Sequence, residues 1–290
     1  MRVVVTGGTG YLGQGVTRAL VAAGHDVKVI ARHSGPVPEG ARLVTGDLLT
    51  MDLTDALAGA DAVVHLVGII REDPARGQTF EVVHTNLTYR LLQTMQAADV
   101  RRLVHVSALG TRERAKSRYH QTKWLAESLV REMEGLRYTI LRPSLVFGHG
   151  APFFHMVAQM VRLPVCPLPA TGGVEVQPVF RDDLARLVER CLVDEETVGK
   201  TYEVGGPERF TYRALYQTVA RAWRRPEPLF FPVPLDWLET GARIGQWLPG
   251  FPITYDQVLM LREPNVTDDE RWIAVAEVRP TPLGAVGQDL

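Results

Sequence analysis

A chain of 290 residues, 46% hydrophobic and with a formal net charge of −1, is long enough for one large domain or a core domain with a smaller cap. Its near-neutral balance, without a long run of one sign, argues against nucleic acid or an anionic membrane surface as the main partner. The isolated Cys166 and Cys191 suggest neither a disulfide scaffold nor a metal site, and no apolar run approaches the ~20 residues of a membrane span.

The chain opens on an apolar run, Arg2–Thr6, which leaves no room for a signal peptide and predicts a buried strand. A cytoplasmic location is expected. Leu12, Val16, Ala19, Leu20 and Ala23 then recur at helical spacing until Gly24 stops the helix. Asp26–Ile30, Arg42–Thr45 and Ala62–Leu66 read as strands, with a short helix around Leu53–Ala58. Phe80–Ala98 reads as a helix, Leu103–Ser107 as a strand, Ser117–Met133 as a helix and Tyr138–Arg142 as a strand. Strict alternation demands parallel strands joined by crossover helices, hence a doubly wound α/β sheet. Residues 151–175, rich in Pro and Gly, read as loop or cap. Asp182 and Asp183 open a helix to about Leu192 and read as helix capping, although as a pair they resemble metal ligands. Thr201–Val204 is a further strand, and from Phe210 the chain is helical and proline-interrupted. The expected division is a nucleotide-binding domain of residues 1–150 and 174–207, with a smaller, mostly helical cap of 151–173 and 208–290.

Between the first strand and helix lies T-G-G-T-G-Y-L-G, Thr6 to Gly13. Gly7, Gly10 and Gly13 let the backbone turn tightly and approach a pyrophosphate, which the free amides of the helix start, at Tyr11, Leu12 and Gly13, would hold. Strand, turn and helix stand in the order a Rossmann dinucleotide site requires. At the end of the second strand such a site prefers NAD when an acid is present. Here the residues are Ala31, Arg32 and His33. Arg32 can pair a 2′-phosphate through its planar fork, so NADP(H) is the expected cofactor. The alternative, Arg32 as a surface side chain stacked on adenine, leaves NAD(H) open. Asp47, followed by Leu48, either meets the adenine amino group or caps the next turn. Leu66 and Gly68, after the fourth strand, read as close neighbours of the cofactor.

Tyr119 and Lys123, in S-R-Y-H-Q-T-K-W, fall at i and i+4 and share one helix face. A nearby ammonium lowers a tyrosine's pKa from about 10, so the phenol could pass a proton to or from a substrate oxygen.

These motifs resemble the short-chain dehydrogenase/reductase superfamily in its extended and atypical, NAD(P)-dependent epimerase/dehydratase-like branches. Y-x-x-x-K resembles the catalytic pair. L-R-P-S-L-V-F-G at Leu141–Gly148 resembles the exit of the sixth strand, where Arg142, Pro143 and Ser144 would border the nicotinamide. H-L-V-G-I-I-R-E, V-H-V-S-A-L-G and the C-terminal third are similar to bacterial relatives of the NADPH-binding accessory subunit of respiratory complex I. That resemblance implies respiratory-complex contact and a place at the periphery of the inner membrane, and that subunit is not known for a dehydrogenase reaction of its own. The chain departs from active members after the fifth strand. Where they carry Ser or Thr against the substrate oxygen, this chain reads Ser107-Ala108. In the direct register Ala108 replaces the hydroxyl; a one-residue shift restores Ser107. The family's helix asparagine falls at His84 or Asn86, and spacing favours His84. Two functions therefore stay open. One is an NADP(H)-dependent oxidoreductase acting on an apolar or quinone-like small molecule through Tyr119, Lys123 and Ser107. The other is a non-catalytic NADPH-binding assembly or sensor protein. A nucleotide-sugar epimerase or dehydratase would usually keep both the hydroxyl and the acid at the second strand.

Three further groups carry expectations. His65 reads as a satisfied core histidine. Glu127 and Glu132 read as solvated helix face. Trp237, Ile244 and Trp247-Leu248, at helical spacing, read as cap packing, against an apolar pocket or an interfacial patch.

Overall fold

Residues 1–245 and 253–287 are described by a computed structural model of the chain. In chain order the first half contains β1 (Arg2–Thr6), α1 (Tyr11–Ala22), β2 (Asp26–Ala31), β3 (Ala41–Thr45), α2 (Thr54–Leu57), β4 (Ala62–His65), α3 (Leu87–Ala97), β5 (Arg102–Val106), α4 (Arg118–Glu132) and β6 (Arg137–Pro143). The second half adds β7 (Val146–Phe147), α5 (Pro152–Met160), β8 (Val165–Ala170), β9 (Glu175–Val176), β10 (Val179–Phe180), α6 (Arg181–Val193), β11 (Lys200–Val204), β12 (Phe210–Thr211), α7 (Tyr212–Ala222), β13 (Leu229–Pro234), α8 (Leu235–Gly245), α9 (Tyr255–Leu261) and α10 (Arg271–Ala276).

Seven strands form one parallel sheet in the order β11-β6-β5-β4-β1-β2-β3. Such strands are covered on both faces and so read as unbroken apolar runs; every residue of β4 is buried. Strand order reverses between β1 and β4, and the crevice outside the carboxyl ends at that reversal is where open α/β sheets bind ligands. One face is packed by α1 and α6, with Val16, Leu20, Leu184 and Leu187 in its core. The other is packed by α3 and α4, with Leu91, Met95 and Val130.

Several expectations change. The helix predicted from Phe80 starts with a π-helical stretch, Glu81–Asn86, before α3. Residues 151–175 are more than loop, because they hold α5 and β8, and β8 pairs in parallel with β13. Prolines at 167, 169, 232 and 234 hid that ribbon. Each strand of a two-stranded ribbon has one free edge, so proline is tolerated there. Asp182 and Asp183 lie in the first turn of α6 but do not cap it with their side chains. Asp182 pairs with Arg181 at 2.9 Å, and Asp183 accepts the Thr281 amide at 2.7 Å. By packing, α10 joins the sheet layer rather than the cap: Trp272 is 1% exposed within the α1–α6 core. The cap-packing reading fails for Trp237 and Ile244, which are 70% and 75% exposed; Trp247-Leu248 lie outside the described residues. Among the described residues no helix is long and apolar enough to cross a membrane.

Candidate functional site

The glycine turn closes on itself. Gly7 has φ +79°, in the left-handed region that favours glycine. The Gly10 amide donates to Gly7 O at 3.1 Å, and the first helical bond runs from Gln14 N to Gly10 O at 2.9 Å. The amides of Tyr11, Leu12 and Gly13 are therefore free of helical bonds, and the first turn of α1 carries no acid. A Cβ at Gly13 would stand 2.1 Å from Gly7 O, so only glycine lets the helix sit down on the turn. The side chains of Tyr11 and Leu12 face elsewhere. Leu12 packs on the core, and Arg181 lies 5.3 Å over the Tyr11 ring.

In front of the turn lies a cleft of about 260 Å³. Seven residues predicted from the sequence line it: Gly7, Gly10, Arg32, Asp47, Leu48, Leu66 and Gly68. Arg32 is exposed and engages no carboxylate among the described residues. His33 is exposed beside it, outside the lining. Asp47 serves the turn, since its Oδ1 accepts the Leu49 amide at 2.9 Å, while also lining the cleft. The lining also includes Arg76, Gly77 and Gln78, which sequence reasoning missed because no motif marks them.

Beyond Gly68 lies the Tyr–Lys pair. Ser117 caps α4, its Oγ accepting the His120 amide. Lys123 is 4% exposed, and its Nζ donates to Val106 O at 3.2 Å. A Cβ at Gly68 would come within 3.1 Å of that ammonium. Burial pushes Lys123 down to about 8, with Glu127 opposing. Tyr119 stands edge-on to His84 at 5.3 Å, Phe80 at 5.8 Å and His120 at 5.1 Å. Desolvation by these neighbours pushes it up to about 12. The expected lowering by Lys123 is therefore not met in this geometry: burial wins.

The remaining candidates separate. His84, not Asn86, faces the pair: its Nδ1 lies 2.9 Å from Thr122 Oγ1 and its Nε2 3.1 Å from Ile69 N, whereas Asn86 is exposed. Ser107 is buried, with its Oγ 3.4 Å from Thr111 Oγ1. Thr111 is a buried hydroxyl that the S-A-L-G-T spacing could have flagged. His65 is the satisfied core histidine expected, between Thr6 Oγ1 at 2.6 Å and Thr88 Oγ1 at 3.2 Å. Pro143 is buried. Arg142 is spent on Glu127, at 2.9 and 2.7 Å. Glu127 is 0% exposed, which corrects the solvated reading; Glu132 is exposed as expected. Ser144 Oγ donates to Asn265. From the same C-terminal arm, Asp256 accepts the amides of Arg118 at 2.5 Å and Tyr119 at 3.4 Å. This arm roofs the strand ends and holds the start of α4.

The Lys123 environment predicts a pH effect. Its folded-state value of about 8 lies below the ordinary 10.5, so the buried charge destabilises the fold fully below pH 8. Between those values the unfolded chain holds the proton and the folded chain has released it, so stability rises with pH across that window. Lys123→Met should stabilise the protein at pH 7 and lose most of that advantage by about pH 10.5, the top of that window. Denaturant unfolding of both proteins at the two pH values measures this, and an unchanged difference would refute it.

Comparison with known proteins adds three findings. Residues 3–205 match the family described as NAD dependent epimerase/dehydratase. The chain is 30% identical over 294 residues to NADH dehydrogenase (ubiquinone) 1 alpha subcomplex subunit 9, mitochondrial, of Mus musculus, covering 96% of this chain and 73% of that protein. It is 31% identical to its Arabidopsis thaliana namesake over 79% of this chain, and spans 60% of that relative's length. Among solved structures, a nucleoside-diphosphate-sugar epimerase from Staphylococcus aureus superposes with a TM-score of 0.80 at 19% identity, over 99% of this chain and 100% of that one. UDP-glucuronic acid 4-epimerase from Bacillus cereus, in complex with UDP-glucuronic acid and NAD, superposes with a TM-score of 0.76 at 18% identity, over 100% and 97%. At such identities the structural likeness speaks for the fold.

Proposed function

Because the chain belongs to the NAD dependent epimerase/dehydratase family, we propose that it binds NADP(H) and moves a hydride between that cofactor and the carbonyl or alcohol carbon of a small apolar, quinone-like molecule. The observation that carries this reading is the continuity of one cleft. It runs from Gly7 and Gly10 of the glycine turn past the open guanidinium of Arg32 to Gly68, behind which Lys123 lies. The residues fit a dinucleotide: the glycines leave room that a Cβ would fill, and no acid opposes a 2′-phosphate at the end of β2.

When bound, the nicotinamide supplies the hydride. The chain's own groups handle position and proton. Lys123, charged at neutral pH, can donate to a ribose hydroxyl. Tyr119, holding its proton up to about pH 12, is the phenol that would donate to a developing alkoxide. Two results test the reading. Arg32→Gln should weaken NADPH about tenfold while leaving NADH within about twofold, as read by calorimetry. Tyr119→Phe should cut turnover of a carbonyl substrate by about 10² to 10⁴; unchanged turnover would reject the proton role.

A second reading, a nucleotide-binding assembly or sensor module, is favoured by the hydroxyls around the pair. Ser107 lies against Thr111, Ala108 has none, and Ser144 is held by Asn265. The relatives' names place those proteins in NADH dehydrogenase, which supports a contact with a respiratory complex at the inner membrane. Under this reading NADPH binds as before, yet Tyr119→Phe alters no turnover.

A further inference from the structure

Between Gly68 and the π-helical stretch, residues 69–79 form a compact hairpin. Asp73 and Gln78 exchange both backbone bonds, at 2.8 and 3.0 Å. A 3₁₀ turn, Pro74–Arg76, fills the tip. Gly77 closes it at φ +69°, its amide donating to Pro74 O at 3.0 Å. At the base, Glu72 accepts the Phe80 amide at 2.7 Å. The hairpin thus sets its own shape, and Arg76 at its tip lines the same cleft as Arg32.

The charges of that cleft need an explanation. Its lining contains two guanidiniums, Arg32 and Arg76, and one carboxylate, Asp47, already engaged with the Leu49 amide. Arg76 meets Asp73 through Nε, at 3.5 Å, and its side chain is 78% exposed, which leaves most of the guanidinium open to solvent. Two like charges lining one cleft raise the local concentration of an anion there. Ribose hydroxyls have no use for two such forks, whereas a phosphate monoester accepts from both. The pyrophosphate has its own place, at the free amides of α1.

We propose that Arg76 is the second guanidinium of a phosphate-monoester subsite, closing over the 2′-phosphate of NADPH together with Arg32. This rests on the cofactor reading above and deepens it: selectivity comes from two parts of the cleft lining, one of them a hairpin outside the nucleotide motif. The test is titration of the full-length protein, Arg76→Gln, Arg76→Lys and Arg32→Gln with NADPH and with NADH, at two salt concentrations. The expected result is a loss of about ten- to a hundredfold in NADPH affinity for Arg76→Gln, with NADH within about twofold and a shallower salt dependence. Arg76→Lys, which keeps the charge without the fork, should fall between. Equal losses for both nucleotides would move Arg76 to a general role and overturn the proposal. So would no loss for either. If Arg32→Gln weakens NADPH selectively and Arg76→Gln does not, this inference fails while the NADP(H) reading survives. If the wild-type protein binds both nucleotides equally, both fail.

Discussion

Gly13→Ala should weaken NADPH binding roughly a hundredfold and lower the melting temperature markedly. The added Cβ would lie 2.1 Å from Gly7 O, 2.6 Å from Gly8 Cα and 2.7 Å from Gly8 C. All three are backbone atoms of the turn, so no side chain can swing aside. Relief requires α1 to lift from the turn, yet α1 is packed on α6, where even Gly15 leaves a Cβ only 2.9 Å from Arg181 Nε. Overpacking costs about 1–3 kcal/mol where side chains can adjust; here the cost belongs at or above the top of that range. A displaced helix start also moves the free amides away from the pyrophosphate. A loss of roughly a hundredfold in NADPH affinity corresponds to about 2.7 kcal/mol. Gly35→Ala is the control, because nothing stands nearer than 3.8 Å to its Cβ. Calorimetric titration and thermal melts of the two variants decide it. Near-native binding by Gly13→Ala would refute the turn as the phosphate cradle.

Glu127→Leu should be the most destabilising single change on α4. The carboxylate is fully buried and accepts from Arg142 Nε and Nη2 at 2.9 and 2.7 Å and from Arg131 Nη2 at 2.6 Å. Both guanidiniums lie over the Trp124 ring, at 5.2 and 5.9 Å. Without Glu127, the carboxylate left to Arg142 among the described residues is Glu203, at 3.6 Å, with the Arg142 side chain 14% exposed. Removing one partner of a buried pair costs about 3–5 kcal/mol, since the other charge stays buried. For a chain of this size that is on the order of 10 °C in melting temperature. Glu127 also supports the charge on Lys123, so the variant should lower that lysine's pKa further. Glu132→Ala, one turn on and exposed, should stay within about 0.5 kcal/mol. Equal melting of the two variants would show that the pair contributes no stability.

The contrast between Glu127 and Glu132 shows where sequence reading stops. Both were read as solvated helix face, yet they stand about 140° apart on a helical wheel, and Arg142, fifteen residues later, is what meets the buried one. Local signals were legible. Unbroken apolar runs marked the sheet strands, glycines marked the phosphate turn, and the i, i+4 spacing set Tyr119 and Lys123 on one face. What escaped depends on distant chain. The β8–β13 ribbon hid behind its prolines, Asp256 reaches α4 across 138 residues, and Asn265 reaches Ser144 across 121. Arg76 sits in a stretch with no periodicity at all. The rise in the Tyr119 pKa could not be foreseen either, because its cause is the crowd of His84, Phe80 and His120 rather than the lysine beside it in sequence.

The C-terminal arm has a consequence for biosynthesis. A ribosome releases the glycine turn, the Tyr–Lys helix and all seven sheet strands well before residues 254–281. Until those last residues arrive, the amides of Arg118 and Tyr119 lack Asp256, Ser144 lacks Asn265, and Trp272 has not sealed the α1–α6 face. A nascent chain therefore exposes an unroofed cleft and an open core at the stage when loop-closure entropy opposes the long-range contacts most. Any early encounter with a ligand meets that unroofed form, and the arrival of the arm supplies the contacts to α4, Ser144 and the α1–α6 core.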